Sequence, residues 1–239
     1  MFRKKSIIKK LLPYPIEASH QEYSMIVSAH DDKATATPSL LKLSFDAIQK
    51  AHTADLEEVN NRLKQPPYYI NIWPGEHYKL LAGLVLTLQP KIAIEIGTAS
   101  GLSILSLKKY MPRNSKLVTF DVFPWEDDEN SILKKEDFEK GKLFQYVEDL
   151  SDDEIFKKHT SLFENAELIF IDAIHDGDFE NNLMEKFKSI SFKNPPYIVL
   201  DDIRVWKMLK MWRDIKHPKL DITSFGHWSG TGIVEWQNS

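Results

Sequence analysis

Short apolar runs rich in β-branched residues alternate with amphipathic segments over the last two-thirds of the chain. Each run ends at a polar or glycine-containing turn, a pattern typical of buried parallel strands followed by helices. The predicted strands cover residues 92–96, 116–121, 143–147, 167–172 and 197–200. Predicted helices cover residues 102–110, 179–189 and 203–216, and a capping box of Ser151 and Glu154 predicts one more.

Two further predicted strands, 222–225 and 232–236, close the chain. Because the connection between them is short, we expect them to be antiparallel. The alternation of strands and helices predicts an α/β fold. Its core would be a Rossmann-like, doubly wound, mostly parallel seven-stranded sheet with a C-terminal antiparallel hairpin strand and an N-terminal helical extension.

The chain before residue 91 has the periodicity of helices instead of strands. Segments 40–63 and 77–88 each place apolar residues at helical spacing, with a proline-containing stretch between them. We interpret residues 1–75 as an N-terminal extension that serves as a helical lid or an oligomerisation arm. Residues 76–239 would then form the α/β domain.

Composition narrows the classes of function. The 239 residues are 42% hydrophobic, enough for one large core, and the net charge of −4 argues against a nucleic-acid partner. The longest apolar run, residues 80–88, is too short to span a bilayer, and the basic start lacks the features of a secretory signal. Without cysteine the chain has neither disulfides nor thiolate zinc sites, which fits a reducing compartment, and we expect a cytoplasmic protein.

The turn after the first predicted strand carries a specific motif. It reads E-x-G-x-x-x-G, formed by Glu95, Gly97 and Gly101. The glycines let the backbone bend and a ligand approach, and the free N–H groups of the next helix favour an anion. Ala99 stands where a dinucleotide fingerprint needs its second glycine, so that class of site fits poorly. A tight turn without a ligand is the alternative.

Acidic residues follow successive predicted strands, at the edge where open parallel sheets bind their ligands. The acid after the second strand, Asp121, is placed to accept both hydroxyls of a ribose. Helix capping is the alternative for each acid, but capping alone poorly explains so many of them. The acids are Glu95, Asp121, Asp149, Asp172 and the pair Asp201 and Asp202.

Three of these acids suggest a metal. Asp172, Asp201 and Asp202 would repel one another at adjacent strand ends, and a hard divalent cation such as Mg²⁺ would relieve that repulsion. His175 follows Asp172 by three residues and is suited to act as a general base near neutral pH. The alternatives are that His175 caps the next helix and that Asp202 is only an N-cap.

With these motifs the chain resembles the divalent-metal-dependent O-methyltransferases, a group of class I S-adenosylmethionine (SAM) methyltransferases that includes catechol and macrolide or aminocoumarin sugar enzymes. The resemblance covers roughly residues 75–236 and implies that residues 76–239 form a SAM-dependent methyltransferase domain. In the family, the motif I turn and the serine behind it hold the methionine part of SAM, and the acid after strand two holds the ribose. The implied cofactor residues are Glu95, Gly97, Thr98, Ser100, Gly101, Ser103, Asp121 and Asp149.

The resemblance also implies a metal site and a base. Asp172, Asp201 and Asp202 match the ligands of Mg²⁺ or a similar divalent cation. His175 stands where catechol enzymes carry a lysine and sugar-directed relatives a histidine, so His175 and Asp172 are the expected catalytic residues. The implied substrate is a hydroxyl of a small molecule such as a sugar or glycoside. We expect no membrane span, no nucleic acid, and a homo-oligomer as the candidate assembly.

Other signals leave alternatives open. The sequence N-P-P-Y at residues 194–197 matches a motif of amino-methyltransferases and supports a metal-independent enzyme acting on nitrogen or a macromolecule. That motif follows strand four in those enzymes, whereas here it precedes strand five, where prolines suit a strand start. A non-catalytic SAM-binding protein would have the same fold. Weaker signals are Glu76 and His77 as cofactor neighbours, and His227 and Trp228 as a substrate or dimer surface or a plain turn.

Overall fold

Seven strands form one mixed sheet in the part of the chain that the structure describes. The computed structural model describes residues 34–63, 70, 72–205 and 207–238, so much of the predicted N-terminal extension lies outside the described residues. The strands are β1 (Ile92–Ile96), β2 (Lys116–Asp121), β3 (Leu143–Val147), β4 (Leu168–Ile171), β5 (Tyr197–Asp201), β6 (Lys219–Asp221) and β7 (Thr231–Glu235).

The strand order is β3-β2-β1-β4-β5-β7-β6, with β1 near the centre. The first five strands are mutually parallel, and β7 is antiparallel to both of its neighbours, β5 and β6. This arrangement confirms the predicted doubly wound sheet with an antiparallel C-terminal hairpin. After β3 the chain crosses to the other side of β1, so the strand order reverses between the neighbours β1 and β4, and such sheets place ligands at that point.

Helices cover both faces of the sheet. Alternate residues of each strand point to opposite faces, so Ala93 packs in one core and its neighbour Ile94 in the other. One core contains the first four helices, and the second contains the rest. The helices are α1 (Pro38–Thr53), α2 (Glu57–Asn60), α3 (Tyr78–Leu88), α4 (Leu102–Tyr110), α5 (Asp153–Lys158), α6 (Thr160–Phe163), α7 (Asp178–Phe187) and α8 (Met208–Asp214).

Three local predictions are wrong. The sixth strand comprises Lys219–Asp221, whereas the sequence predicts that strand at residues 222–225, of which 223–225 form a short 3₁₀ turn. Helix α5 is capped by Asp152, whose carboxylate accepts hydrogen bonds from two backbone N–H groups, and not by Ser151. Helix α8, predicted from residue 203, begins only at Met208 with Lys207 as its N-cap, and Asp202 has a φ of 57°.

The helix nearest the N-terminus of the described chain belongs to the packed body. Thr37 caps α1 by accepting a hydrogen bond from the backbone N–H of Leu40, and Ser39 donates to Glu235 on the last strand. The apolar face of α1 packs on α3, and both helices share a core with the sheet. A role as a lid or an oligomerisation arm, and a boundary at residue 75, stay predictions.

Close approach of α1 and α3 depends on Gly83. A Cβ at this position would lie 2.2 Å from the carbonyl oxygen of Ala47 and 2.9 Å from the amide nitrogen of Ala51. Backbone atoms of a neighbouring helix cannot move aside as a flexible side chain can, so only glycine fits.

No helix among the described residues has the length and apolar character to cross a bilayer.

Replacing Gly83 with alanine tests this packing. In an unobstructed helix the change would stabilise by about 1 kcal/mol, because alanine has the higher helix propensity. Here we expect the free energy of unfolding to fall by about 1–3 kcal/mol, the usual cost of overpacking. Urea denaturation measures the change. Lys79→Ala on the same helix is the matched control, with a change within about 0.5 kcal/mol; a more stable Gly83→Ala variant would contradict the packing argument.

Candidate functional site

A cavity of about 320 Å³ opens at the carboxyl ends of β1, β2 and β4. Its size and its place at the edge of a parallel sheet are those of small-molecule sites. Three of the residues implied for the cofactor line it, namely Gly97, Asp121 and Asp149. The walls are otherwise largely apolar, with Phe120 and Ile174 among them.

Gly97 has a backbone conformation that the neighbouring strand imposes. Its φ is 103°, and a Cβ would lie 1.8 Å from the carbonyl oxygen of Asp172. Its N–H donates to the carbonyl oxygen of Phe120, 2.8 Å away. Glycine is therefore required here by the close meeting of the ends of β1 and β4, before any ligand is considered.

The second glycine of the motif is covered by the segment between β2 and β3. Gly101 has a φ of 87°, and a Cβ there would meet the side chain of Leu133 at 2.4 Å. The N–H of Ile132 donates to the carbonyl oxygen of Ser100. Nearby, the carboxylate of Asp137 accepts hydrogen bonds from Arg62 and Lys108 and ties the segment to the helical layer. The side of the turn at Gly101 therefore faces protein, whereas Gly97 faces the cavity.

Asp121 is oriented by the glycine turn. One carboxylate oxygen accepts hydrogen bonds from the N–H groups of Thr98 (2.8 Å) and Ala99 (3.2 Å), and the other accepts from Phe123. A carboxylate has about four lone-pair positions, so Asp121 keeps acceptor capacity toward the cavity. This position, at the end of β2, is the one expected to accept ribose hydroxyls.

Glu95 lies beneath the turn and does not line the cavity. It is fully buried; Thr119 donates to its Oε2 at 2.6 Å, and its Oε1 has no hydrogen-bond partner. Burial raises the pKa of Glu95 to about 8, although the nearby hydroxyls of Ser103 and Thr119 act to lower it. The orphaned oxygen is a polar group that a proton or a bound donor would satisfy. Thr98 is also buried, with its hydroxyl bonded to Thr119 and Gln145.

His175 lies between two of the predicted metal ligands. Its Nε2 is 3.0 Å from an oxygen of Asp172, and its Nδ1 is 2.9 Å from an oxygen of Asp202. Burial alone would lower the pKa of His175, but these two carboxylates raise it to about 10. The same contacts hold the pKa of Asp202 below its usual value against burial. The alternatives in which His175 and Asp202 cap helices are wrong. The N-cap of α7 is Gly177 and the N-cap of α8 is Lys207.

Two further histidines surround Asp201, and sequence reasoning gave them no metal or catalytic role. His77 Nδ1 lies 3.3 Å from one oxygen of Asp201, and His227 Nδ1 lies 3.0 Å from the other. They meet because residue 75 pairs with the last hairpin, its N–H donating to Gly226 and its carbonyl oxygen accepting from Trp228. The two histidines are 150 positions apart in the chain, so no local spacing could have linked them.

The cluster around Asp201 is rich in charge. Burial would raise the pKa of Asp201, but His77 and His227 hold it at about 2. Burial lowers the pKa of His227, whereas Asp201 and Asp202 raise it to about 10. His227 Nε2 lies 3.4 Å from Glu76, the residue suggested as a cofactor neighbour. Ion pairing with imidazoles is thus how this structure offsets the repulsion between the carboxylates.

Two sets of donor atoms among the described residues are close enough to hold one metal ion. The first is His77, Asp201 and His227, and the second is Asp172, His175 and Asp201; the atoms in each set lie within 4.8 Å of one another. The structure therefore brings together Asp172 and Asp201 of the predicted ligands. Asp202 belongs to neither set and instead accepts a hydrogen bond from Ser229.

The amino-methyltransferase motif lies away from this cluster. Pro195 and Pro196 directly precede Tyr197, the first residue of β5, whereas the cluster lies at the other end of that strand. The prolines therefore start the strand, as their restricted φ and missing N–H allow.

Buried Glu95 predicts a pH dependence of stability. Because its folded pKa is raised, the folded state binds more protons than the unfolded state between about pH 4.5 and 8, so this carboxyl lowers stability as pH rises. We expect Glu95→Gln to gain several kcal/mol relative to the native chain between pH 5 and pH 8.5, at about 1.4 kcal/mol per unit of pKa shift. Urea denaturation across that range measures it. Exposed Glu129→Gln is the control. If the free energy of unfolding of Glu95→Gln changed with pH in parallel with that of the native chain, the raised pKa of Glu95 would be contradicted.

The sequence matches no protein-family model and no curated protein. Solved structures nevertheless share the fold. A Staphylococcus aureus protein, whose proposed activity is that of a caffeoyl-CoA O-methyltransferase, is 16% identical with a TM-score of 0.53 over 82% of this chain and 100% of its own. An SAH-bound methyltransferase from Podospora anserina is 13% identical with a TM-score of 0.51 over 86% and 91%. A Corynebacterium glutamicum protein is 14% identical with a TM-score of 0.51 over 81% and 91%. The chain thus has the Rossmann-like fold of the class I methyltransferases.

Proposed function

We propose that this chain is a SAM-dependent O-methyltransferase that uses a divalent cation to methylate a hydroxyl of a small molecule. The observation that carries the proposal is the position of the histidine and carboxylate cluster, directly beside a cavity at the SAM-binding edge of a methyltransferase fold. Asp172 belongs to both, because it lines the cavity and contacts His175. A cofactor in the cavity and an acceptor at the cluster would therefore be neighbours.

The residues of the cavity fit SAM. Asp121 has free acceptor capacity for ribose hydroxyls, and the apolar walls suit a flat heterocycle. When bound, SAM supplies a methyl group activated by a positively charged sulfur. Gly97 and Asp121 belong to the cavity surface, whereas Glu95, Thr98 and Ser103 support the turn from beneath. We assign Asp149 to the cavity rim, and Ser100 and Gly101 to the shape of the turn.

The cluster can hold a cation and move a proton. Asp172 and Asp201 would bind the cation, which when bound lowers the pKa of an acceptor hydroxyl and of a neighbouring imidazole. His175 would accept the hydroxyl proton on a ring nitrogen. That role needs the neutral imidazole, whereas the surrounding carboxylates favour the protonated form of His175. Asp202 holds the ring through Nδ1 and so orients it.

Exposed apolar side chains near the cavity suggest the shape of the acceptor. Phe123 is 68% exposed and Ile174 is 62% exposed, and both line the cavity. Trp228 is 74% exposed and follows His227 of the cluster. An acceptor with an apolar face beside its hydroxyl, such as a sugar or glycoside, would use such surfaces.

Cofactor binding is the first test. We expect SAM and SAH to bind the native chain in isothermal titration and NADH not to bind. Asp121→Asn should weaken SAM binding by about 10- to 100-fold, because a hydrogen bond to a charged group contributes roughly 1.5–3 kcal/mol. Glu126→Gln in the exposed segment after β2 is the matched control with unchanged affinity. Binding of NADH instead of SAM would reject the proposal.

The role of His175 is the second test. His175→Gln should lower turnover by about 10²–10⁴, the usual cost of losing a general base, while SAM affinity stays within error. Methyl transfer to a panel of glycosides and phenols, followed with labelled SAM, measures it; EDTA should abolish the transfer and added divalent cation restore it. His52→Gln, at an exposed position, is the control. Normal turnover in His175→Gln would remove this residue from the mechanism, and activity that survives EDTA would remove the cation. SAM binding without any methyl transfer would favour a non-catalytic protein.

A further inference from the structure

His77 is a buried base without hydrogen bonds. Only 2% of its surface is exposed, and neither ring nitrogen has a hydrogen-bond partner. Its Nδ1 lies 3.3 Å from an oxygen of Asp201, yet the geometry is not that of a hydrogen bond. Leaving buried polar atoms unpaired is costly, so such an atom in a packed site points to a partner that the protein atoms alone do not supply.

The donor atoms around His77 are arranged as metal ligands are. His227 Nδ1 lies 3.0 Å from Asp201 Oδ2, and the three donors lie within 4.8 Å of one another. Atoms that bind one ion at about 2.0–2.2 Å lie roughly 3–3.5 Å apart in tetrahedral or octahedral coordination. The separations from Asp201 to both imidazoles fall in that range.

Further carboxylates lie near the Nε2 atoms of both histidines. His227 Nε2 lies 3.4 Å from Glu76 Oε2, and His77 Nε2 lies 3.9 Å from Asp172 Oδ2. A carboxylate that accepts a hydrogen bond from the far nitrogen of a ligating histidine fixes the ring and its tautomer and makes the near nitrogen a better ligand. Glu76 is close to hydrogen-bond distance from His227, whereas Asp172 lies beyond hydrogen-bond distance from His77. Ser229 Oγ also lies 2.9 Å from His227 Nδ1, so this nitrogen faces both a hydroxyl and a carboxylate in the present arrangement.

We propose that His77, Asp201 and His227 form a binding site for a first-row transition-metal ion. Two imidazoles and one carboxylate suit Zn²⁺, Co²⁺ or Fe²⁺, whereas Mg²⁺ prefers ligands that are all oxygen. The site differs from the three-carboxylate site that the sequence suggests, although it shares Asp201 with it. This inference deepens the proposed function. Only the role of the ion in methyl transfer rests on that function, because the chain can bind an ion whether or not it transfers a methyl group.

Three rigid elements position the site. Asp201 is the last residue of β5, and His77 directly precedes α3, so strand and helix hold two donors in place. The pairing of residue 75 with the last hairpin brings His227 beside them, with its ring 5.2 Å from that of His77 and perpendicular to it. Three donors leave coordination positions open for water or for an acceptor oxygen.

Direct ion titration of the full chain tests the site without SAM or acceptor. After removal of metals with chelator, Co²⁺ and Mg²⁺ would be titrated separately, with Co²⁺ followed by its visible absorption and both ions by equilibrium dialysis. We expect one Co²⁺ per chain, bound at least about 10-fold more tightly than Mg²⁺, as the preference of imidazole for transition metals requires. His77→Ala and His227→Ala should each weaken Co²⁺ binding by about 10-fold or more while Mg²⁺ binding is unchanged.

Controls separate this site from its neighbour and from misfolding. His175→Gln removes the histidine of the other donor set and should change Co²⁺ affinity less than His77→Ala does; exposed His52→Ala should not change it. Thermal denaturation checks folding, and His77→Gln is the second variant if His77→Ala unfolds. Equal affinity for Mg²⁺ and Co²⁺, or Co²⁺ binding that depends on His175 but not on His77 or His227, would overturn the inference.

The same titrations distinguish the two proposals. Co²⁺ binding that needs His77 and His227, in a chain that transfers no methyl group from SAM, would support the metal site and reject the proposed activity. Methyl transfer from SAM in a chain whose Co²⁺ affinity is unchanged by both His77→Ala and His227→Ala would support the activity and reject this metal site.

Discussion

Parallel pairing of β4 with β1 and β5 is the constraint on which the whole site depends. The register places Ile96 beside Ile171 and Ile171 beside Leu200, so the next residues, Gly97, Asp172 and Asp201, lie side by side at one edge of the sheet. Backbone hydrogen bonds hold these strands together with buried apolar side chains on both faces. The acidic residues are therefore brought close by the sheet, against the repulsion that like charges would otherwise exert.

The repulsion between these carboxylates explains why histidines surround them. Asp172, Asp201 and Asp202 each contact an imidazole. His175 lies between Asp172 and Asp202, and two histidines lie around Asp201. His175 and Asp202 both have positive φ values, a conformation that histidine and aspartate adopt more readily than most residues. The backbone thus takes sparsely populated conformations where it brings these side chains together, which is common at functional sites.

Elements outside the parallel sheet complete the site. The last hairpin contributes His227, and the segment that precedes α3 contributes Glu76 and His77. The segment between β2 and β3 folds over the turn at Gly101, so the accessible part of this edge of the sheet is the side that faces Asp121. The last hairpin and the segment before α3 give the site its histidine-rich character.

The amino-acid sequence by itself determined the strands, the order of elements and the acidic strand ends. Periodicity and glycine turns report local conformation, so β1, β2 and β3 are found where they were predicted. The capping of α5, the start of α8 and the place of β6 depended on competition between neighbouring polar groups, which periodicity does not record. Only the tertiary structure decided that His77 and His227 meet at Asp201, and that Asp202 turns to His175 and Ser229 instead of sharing a set of ligands. His77 and His227 are 150 positions apart in the chain, so local spacing cannot predict their contact. The sheet and its last hairpin set the distance between the two side chains.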